Sequence, residues 1–247
     1  MRSPSPGAVV GRIFKAALAI IVPLAVMTPA TARGESITGT VVITKRLSKR
    51  NVTASVSMYQ RGQGVDLGTD QQVDPLVLER ERVAIYIDGP VAASSGGASI
   101  KQINRRFYPD TLVVPVGTVV SFPNEDPIFH NLFSLSKVRS FDLGNYPKGD
   151  TRKLRFEKPG IIFINCHLHP NMAATVIVAP NRWCTSPDAA GNFELRDLPP
   201  GQYRVVAWHR AAGFFRKTID LSPGKDATIS FLIPFQEPGH GGHSPGM

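Results

Sequence analysis

Apolar residues along this chain fall in short runs broken by Gly, Pro and Asn, never in the long period-3.6 stripes of helices. The runs 37–43 (ITGTVVI) and 83–87 (VAIYI) predict strands, and 111–122 (TLVVPVGTVVSF) predicts two, hinged at Pro115 and Gly117. Shorter strands are expected at 132–134 and 154–156, and apolar ones at 161–166 (IIFINC) and 174–178 (ATVIV). Further on, 193–195, 203–208 (YRVVAW) and 227–233 (ATISFLI) read as strands, separated by turns at 188–192 (DAAGN) and 198–201 (LPPG). Residues 44–75 are polar and without period, which predicts a loop or a weakly specified hairpin, and the small residues of 89–99 (GPVAASSGGAS) mark a boundary. Val, Ile, Phe and Thr dominate the runs, and 22 Gly and 21 Pro punctuate them, so an all-β sandwich class is expected.

The first residues read differently. Arg2, Arg12 and Lys15 precede the apolar run 16–27, and Ala30-Thr31-Ala32 offers small residues for cleavage. That order predicts a secretory signal over 1–32, the run being shorter than the ~20 apolar residues of a membrane span. Export to the periplasm or outside the cell follows, with no span after cleavage. The formal charge is +9, and a leader holding three of the 28 basic residues and no acid leaves +6. The basic residues are scattered and lack interleaved aromatic residues, which points to a basic protein surface and not to nucleic-acid binding.

The chemistry concentrates in 166–172, Cys166-His167-Leu168-His169-Pro170-Asn171-Met172, and in His130, which follows the run ending at Phe122. Thiolate and thioether suit Cu(I), and imidazole suits both copper states. Cys166 ends a strand, His169 and Met172 follow at +3 and +6, and a second loop at the same pole of a sandwich can bring His130 to them. The set His130, Cys166, His169 and Met172 thus reads as ligands of one mononuclear type 1 copper ion, a trigonal plane with a weak axial thioether. The competing readings are a Cys166–Cys184 disulfide in an oxidising compartment, a core role for His130 beside Phe129 and Phe133, and plain packing for Met172.

These residues resemble the C-x-x-H-x-x-M ligand loop of cupredoxins, amicyanin especially, and Asn124-x-Asp126 with His130-Asn131 resembles the other half of that site. The similarity spans about residues 100–179, including 141–144 and 158–160 between the halves, as in methylamine-utilisation-like bacterial cupredoxins. It implies a Greek-key cupredoxin sandwich, with Asn131 bonding across the two ligand loops and holding the cysteine sulfur. It also implies a solvent-near His169 edge that passes electrons. The turn 191–193, the run 198–203 and Trp208-His209 resemble a carboxypeptidase-regulatory-like, transthyretin-type sandwich completed by 37–43 and 83–87. The expected organisation is signal 1–32, flanking strands and linker 33–99, cupredoxin 100–179, flanking strands 180–235 and a disordered tail 236–247.

The remaining polar residues carry blander expectations. His167 is expected exposed, His209 a surface histidine, Trp208 core, Cys184 a partly buried free thiol, and Glu125 and Asp126 solvated loop acids. Six histidines with no further His-x-His pair leave no donors for a second copper centre, so no enzyme activity is expected. The expected function is one-electron transfer with a redox protein such as a dehydrogenase or a c-type cytochrome. A copper store or chaperone is the alternative, suggested by His240 and His243 in the tail, and a structural β module with incidental metal is a third.

Overall fold

In the computed structural model, residues 34–48 and 74–234 are described; the expected leader 1–32, the stretch 49–73 and the tail 236–247 lie outside the described residues. In chain order the elements are β1 (Glu35–Val42), α1 (Pro75–Glu81), β2 (Val83–Asp88), β3 (Gly97–Ser99), β4 (Lys101–Ile103), β5 (Arg106–Tyr108), β6 (Thr111–Pro115) and β7 (Val119–Pro123). They continue with β8 (His130–Ser136), β9 (Arg139–Tyr146), β10 (Thr151–Arg155), β11 (Gly160–Asn165) and β12 (Ala173–Ala179). The last five are β13 (Cys184–Thr185), β14 (Asn192–Leu198), β15 (Gly201–His209), β16 (Gly213–Leu221) and β17 (Ala227–Leu232). The chain is therefore all-β apart from one short helix among the described residues.

Two pairs of sheets enclose two cores. The sheet β10-β7-β3 faces the five-stranded sheet β6-β12-β11-β8-β9. Between them lie Ile100, Val120, Phe122, Leu132, Tyr146, Phe156, Ile162 and Ile164, each at most 1% exposed. Strand β6 pairs in parallel with β12 and not with its sequence neighbour β7, so the chain crosses from one sheet to the other at Gly117. Gly117 has φ +93°, and a Cβ there would stand 2.8 Å from the carbonyl oxygen of Ser94, so the turn requires glycine. The second pair, β14-β1-β17 and β13-β2-β15-β16, encloses Ile37, Val83, Ile85, Leu198, Val205, Phe231 and their neighbours. Each large apolar side chain so buried contributes roughly 1.5–3 kcal/mol. A third, smaller cluster joins the two sandwiches face to face: Trp208 and Ala84 pack on Ile177, with Val113 and Ile161 beside them.

Several elements were not legible in the sequence. Strands β9 and β16 alternate weakly, with half-exposed residues on their inner phases, and the β4–β5 hairpin has strands of three residues. The helix α1 is too short for a periodic signal. It begins where Asp74 accepts the Leu76 N–H at 2.9 Å and Pro75 occupies the first turn.

Helix α1 also overturns the expectation for His209, which is 1% exposed. His209 ends β15, a central strand between β2 and β16, and α1 lays Glu79 over it. Glu79 Oε2 lies 3.0 Å from His209 Nε2, while the Ser48 N–H donates to Glu79 Oε1 at 2.9 Å and the Ser48 hydroxyl donates to the same oxygen. His209 Nδ1 accepts the Ala211 N–H at 3.2 Å, which places a ring proton on Nε2, facing the carboxylate. Arg82 extends the network, donating to Ser48 Oγ at 2.9 Å and to Asp110 Oδ2 at 2.6 and 2.8 Å. Because Asp110 precedes β6, this ion pair ties the two sandwiches together.

Burial opposes the charge on Glu79, but the facing His209 ring and the hydrogen bonds from Ser48 outweigh it and hold the carboxyl down at about 2. A carboxyl lowered on folding contributes stability in full above its unfolded value and loses it as pH falls through the folded one. Glu79→Gln is expected to cost up to about 3 kcal/mol at neutral pH and clearly less near pH 3. Urea unfolding of both proteins at the two pH values checks this; an equal difference at both would contradict it.

Candidate metal centre

The pole of the first sandwich gathers three donors from two loops. Strand β11 ends at Asn165 and delivers Cys166. The Cys166 N–H then donates to the Met172 carbonyl at 3.2 Å, and the Met172 N–H donates to the His169 carbonyl at 2.9 Å, folding 166–172 into a tight loop. The other loop, 124–130, is shaped by Asn124, whose Nδ2 donates to the carbonyls of Ile128 at 2.9 Å and Tyr146 at 3.1 Å, and whose Oδ1 accepts the Asp126 N–H at 3.0 Å. It ends on His130, the first residue of β8.

The donor atoms of His130, Cys166 and His169 lie within 4.8 Å of one another. His130 Nδ1 stands 3.2 Å from His169 Nδ1, and Cys166 Sγ stands 3.7 Å from the latter. His130 is fully buried, Cys166 nearly so, and Met172 is 1% exposed in the same core cluster as Cys166. His169 is partly exposed at the rim. His167 points away, half exposed, and its ring stacks on Phe133 at 3.6 Å.

Asn131 joins the loops. Its N–H donates to Cys166 Sγ at 3.5 Å, its Oδ1 accepts the His167 N–H at 3.4 Å, and its Nδ2 donates to Asp142 Oδ1 at 2.7 Å. Asp126 departs from the sequence expectation of a solvated loop acid. It is 5% exposed, with Oδ2 2.7 Å from His130 Nε2. Its carboxylate also accepts the N–H groups of Asn104 at 2.6 Å and Arg105 at 2.8 Å, in the β4–β5 turn where both residues have positive φ. That turn folds over the acid and removes it from water. Its sequence signals were its place in the Asn124-x-Asp126 resemblance and its position four residues before His130. Glu125, by contrast, forms a partly exposed ion pair with Lys101 at 2.9 Å.

The electrostatics follow from this wiring. An ionised carboxylate only accepts, so Asp126 fixes a proton on His130 Nε2 and leaves Nδ1 facing the sulfur. Burial works against ionising Cys166, yet hydrogen bonds from His130, the Asn131 N–H, His169 and the Leu168 N–H prevail and lower the thiol to about 6. Burial likewise opposes charge on His130, but its bonds to Cys166 and Asp126 raise its affinity for a proton. Two imidazole nitrogens and a thiolate converging on one point repel one another unless a positive charge sits among them. Soft sulfur with two imidazoles is a donor set that fits copper in either oxidation state. Cys166 and Cys184 are both free thiols. Cys184 lies on β13 against Tyr86 in the other sandwich, where burial alone pushes it up to about 12.

No family model and no curated protein sequence matches the chain. Solved structures do. A purple cupredoxin from Nitrosopumilus maritimus is 27% identical, over 33% of this chain and 98% of its own, with a TM-score of 0.31. A Cu-containing nitrite reductase from Thermus scotoductus SA-01 is 26% identical, over 36% of this chain but only 25% of its own, with a TM-score of 0.32. An amicyanin variant in its reduced state is 24% identical, over 34% of this chain and 82% of its own, with a TM-score of 0.32. These likenesses concern about a third of the molecule, and the donors themselves carry the functional reading.

The metal-free protein is expected to show one thiolate transition near pH 6 in ultraviolet absorbance, absent in Cys166→Ser, with Cys184 silent until strongly alkaline pH. A single transition above pH 8 would contradict the hydrogen-bonded account of Cys166.

Proposed function

We propose that this chain binds one type 1 copper ion and carries single electrons between redox proteins outside the cytoplasm. The observation that carries the reading is the convergence of His130 Nδ1, His169 Nδ1 and an acidified Cys166 Sγ within 4.8 Å, at a buried pole of a β-sandwich. His130, Cys166 and His169 would hold the ion, with Met172 as the weak fourth donor. Copper, when bound, supplies a centre that accepts and returns one electron.

The chain's own residues do the rest. Asp126 fixes the His130 tautomer and adds negative charge behind it, and Asn131 donates to the sulfur and locks one loop to the other. Such partners tune a metal site. The core packed around Cys166 and Met172 excludes water and restrains the donors from rearranging, and little rearrangement is what a one-electron carrier needs. His169, at the rim, is the donor through which electrons leave most directly. Burial of the other donors weighs against the alternative of a store or chaperone, which must release its metal.

The flanking sandwich, β1, β2 and β13 to β17, is read as a transthyretin-type module within a 33–99, 100–179, 180–235 division, and its part is to present the copper sandwich to a partner such as a dehydrogenase or c-type cytochrome. The N-terminal leader supports export, and no helix among the described residues is long and apolar enough to cross a membrane.

Adding Cu(II) is expected to give an intense visible band that bleaches reversibly with ascorbate and is absent in Cys166→Ser. A colourless, fully folded protein would refute the reading. Asp126→Asn should keep the band while weakening copper binding about tenfold or more, read by competition with a chelator. Unchanged affinity would remove Asp126 from the site's support.

A further inference from the structure

The outward face of the five-stranded sheet is only half covered. At β6 and β12 it meets the second sandwich through Val113, Ile177 and Trp208. At β11 and β8 it stays open: Leu135 is 80% exposed and Phe163 39%. The register that pairs Asn165 with Phe133 puts Phe163 opposite Leu135, and the Phe163 N–H donates to Ser136 Oγ at 2.9 Å. One step along β8, Phe133 carries the His167 ring stacked on it at 3.6 Å and 3°. His167 is bonded directly to Cys166, so a covalent step and a ring stack lead from the thiolate to this face.

The second sandwich contributes charge at the same place. Arg210, in the turn between β15 and β16, sits 5.1 Å over the Phe163 ring. Phe214 and Arg216, cross-strand partners of Trp208 and Val206, share the face of Trp208, and Arg216 stacks 4.6 Å over Phe214. Among the described residues neither arginine has a carboxylate partner within ion-pair distance, so both guanidinium groups are oriented by aromatic rings and left open to an anion. Asp142, the acid nearest Phe133, is already bonded to Asn131 and the Gly144 N–H and faces His167.

We propose that this face, from His167 and Phe133 to the Arg210–Phe163 and Arg216–Phe214 pairs, docks an acidic one-electron carrier and is a second electron port, distinct from the His169 rim. The port rests on the copper reading; the docking surface does not. One electron crosses per encounter, the centre being oxidised as the carrier is reduced or the reverse, and no proton or bond is exchanged. Apolar contact from Leu135 and Phe163 beside two fixed cations suits a partner whose carboxylates ring an apolar patch.

Two readouts test this on the full mature chain. Hexacyanochromate(III), a redox-inert paramagnetic anion, should broaden the amide signals of Phe163, Arg210, Phe214 and Arg216 in the metal-free protein, and R210E/R216E should abolish the effect. In the reduced copper-loaded protein, oxidation by hexacyanoferrate(III) should slow about tenfold in R210E/R216E and lose its salt dependence. Phe133→Leu should slow it several-fold with broadening, visible band and potential retained. Broadening confined to the Phe129, Leu168 and His169 rim would overturn the docking surface, and wild-type oxidation rates in Phe133→Leu would overturn the port. Failure of the copper reading shows separately, as a missing visible band, and overturns the port while the broadening map still decides the docking surface.

Discussion

The Asn131 clasp is the constraint on which the site depends. One residue donates its N–H to Cys166 Sγ, accepts the next N–H of the cysteine loop, and anchors its own side chain on Asp142. Strands β8 and β11 pair through Asn165 and Phe133, so the clasp closes the pole that those strands already share. Without it the two loops would be joined at this pole only by their strands and by the contacts of His130 with Cys166 and His169, which are themselves the donors to be held. With it, a buried thiol is acidified before any metal arrives, because the donors that stabilise its anion are fixed by the fold.

A second layer of polar wiring holds this pole in turn. Asp126 couples His130 to the tip of the β4–β5 hairpin, and Asn124 shapes the loop between them. Far from the pole, Glu79, His209, Ser48, Arg82 and Asp110 form a network at the junction of the sandwiches. Burying such groups is costly unless each is matched: Glu79 Oε1 takes two hydrogen bonds from Ser48, and, among the described residues, Glu79 Oε2 is met only by the His209 ring at 3.0 Å. This network and the Trp208–Ile177 cluster join the two sandwiches, and Arg82–Asp110 is an ion pair between them.

Much of this was legible in sequence, for a physical reason. Cys166, His169 and Met172 lie in one seven-residue loop, so their spacing alone brings them near one another, and the strands beside them are apolar enough to be seen. His130 was legible as a histidine in the loop after the strand that ends at Phe122, although not as the first residue of β8. Asp126 was not, because its burial comes from Asn104 and Arg105, more than twenty residues upstream, and no local pattern shows which loop will fold over an acid. His209 was misjudged for the same reason: a helix of seven residues, too short to have a period, supplies the carboxylate that covers it. Strands β9 and β16 escaped notice because their exposed residues dilute the alternation. Interactions local in sequence were readable, and those made by distant segments were not.

In the proposed copper site the polypeptide itself, and not the metal, sets the donor arrangement. Copper K-edge absorption spectroscopy of the protein in both oxidation states tests it most directly. The expected result is one sulfur scatterer that depends on Cys166 and two imidazoles in both states, with the shell almost unchanged on reduction. A shell of nitrogen and oxygen alone, or one that loses an imidazole when reduced, would contradict it.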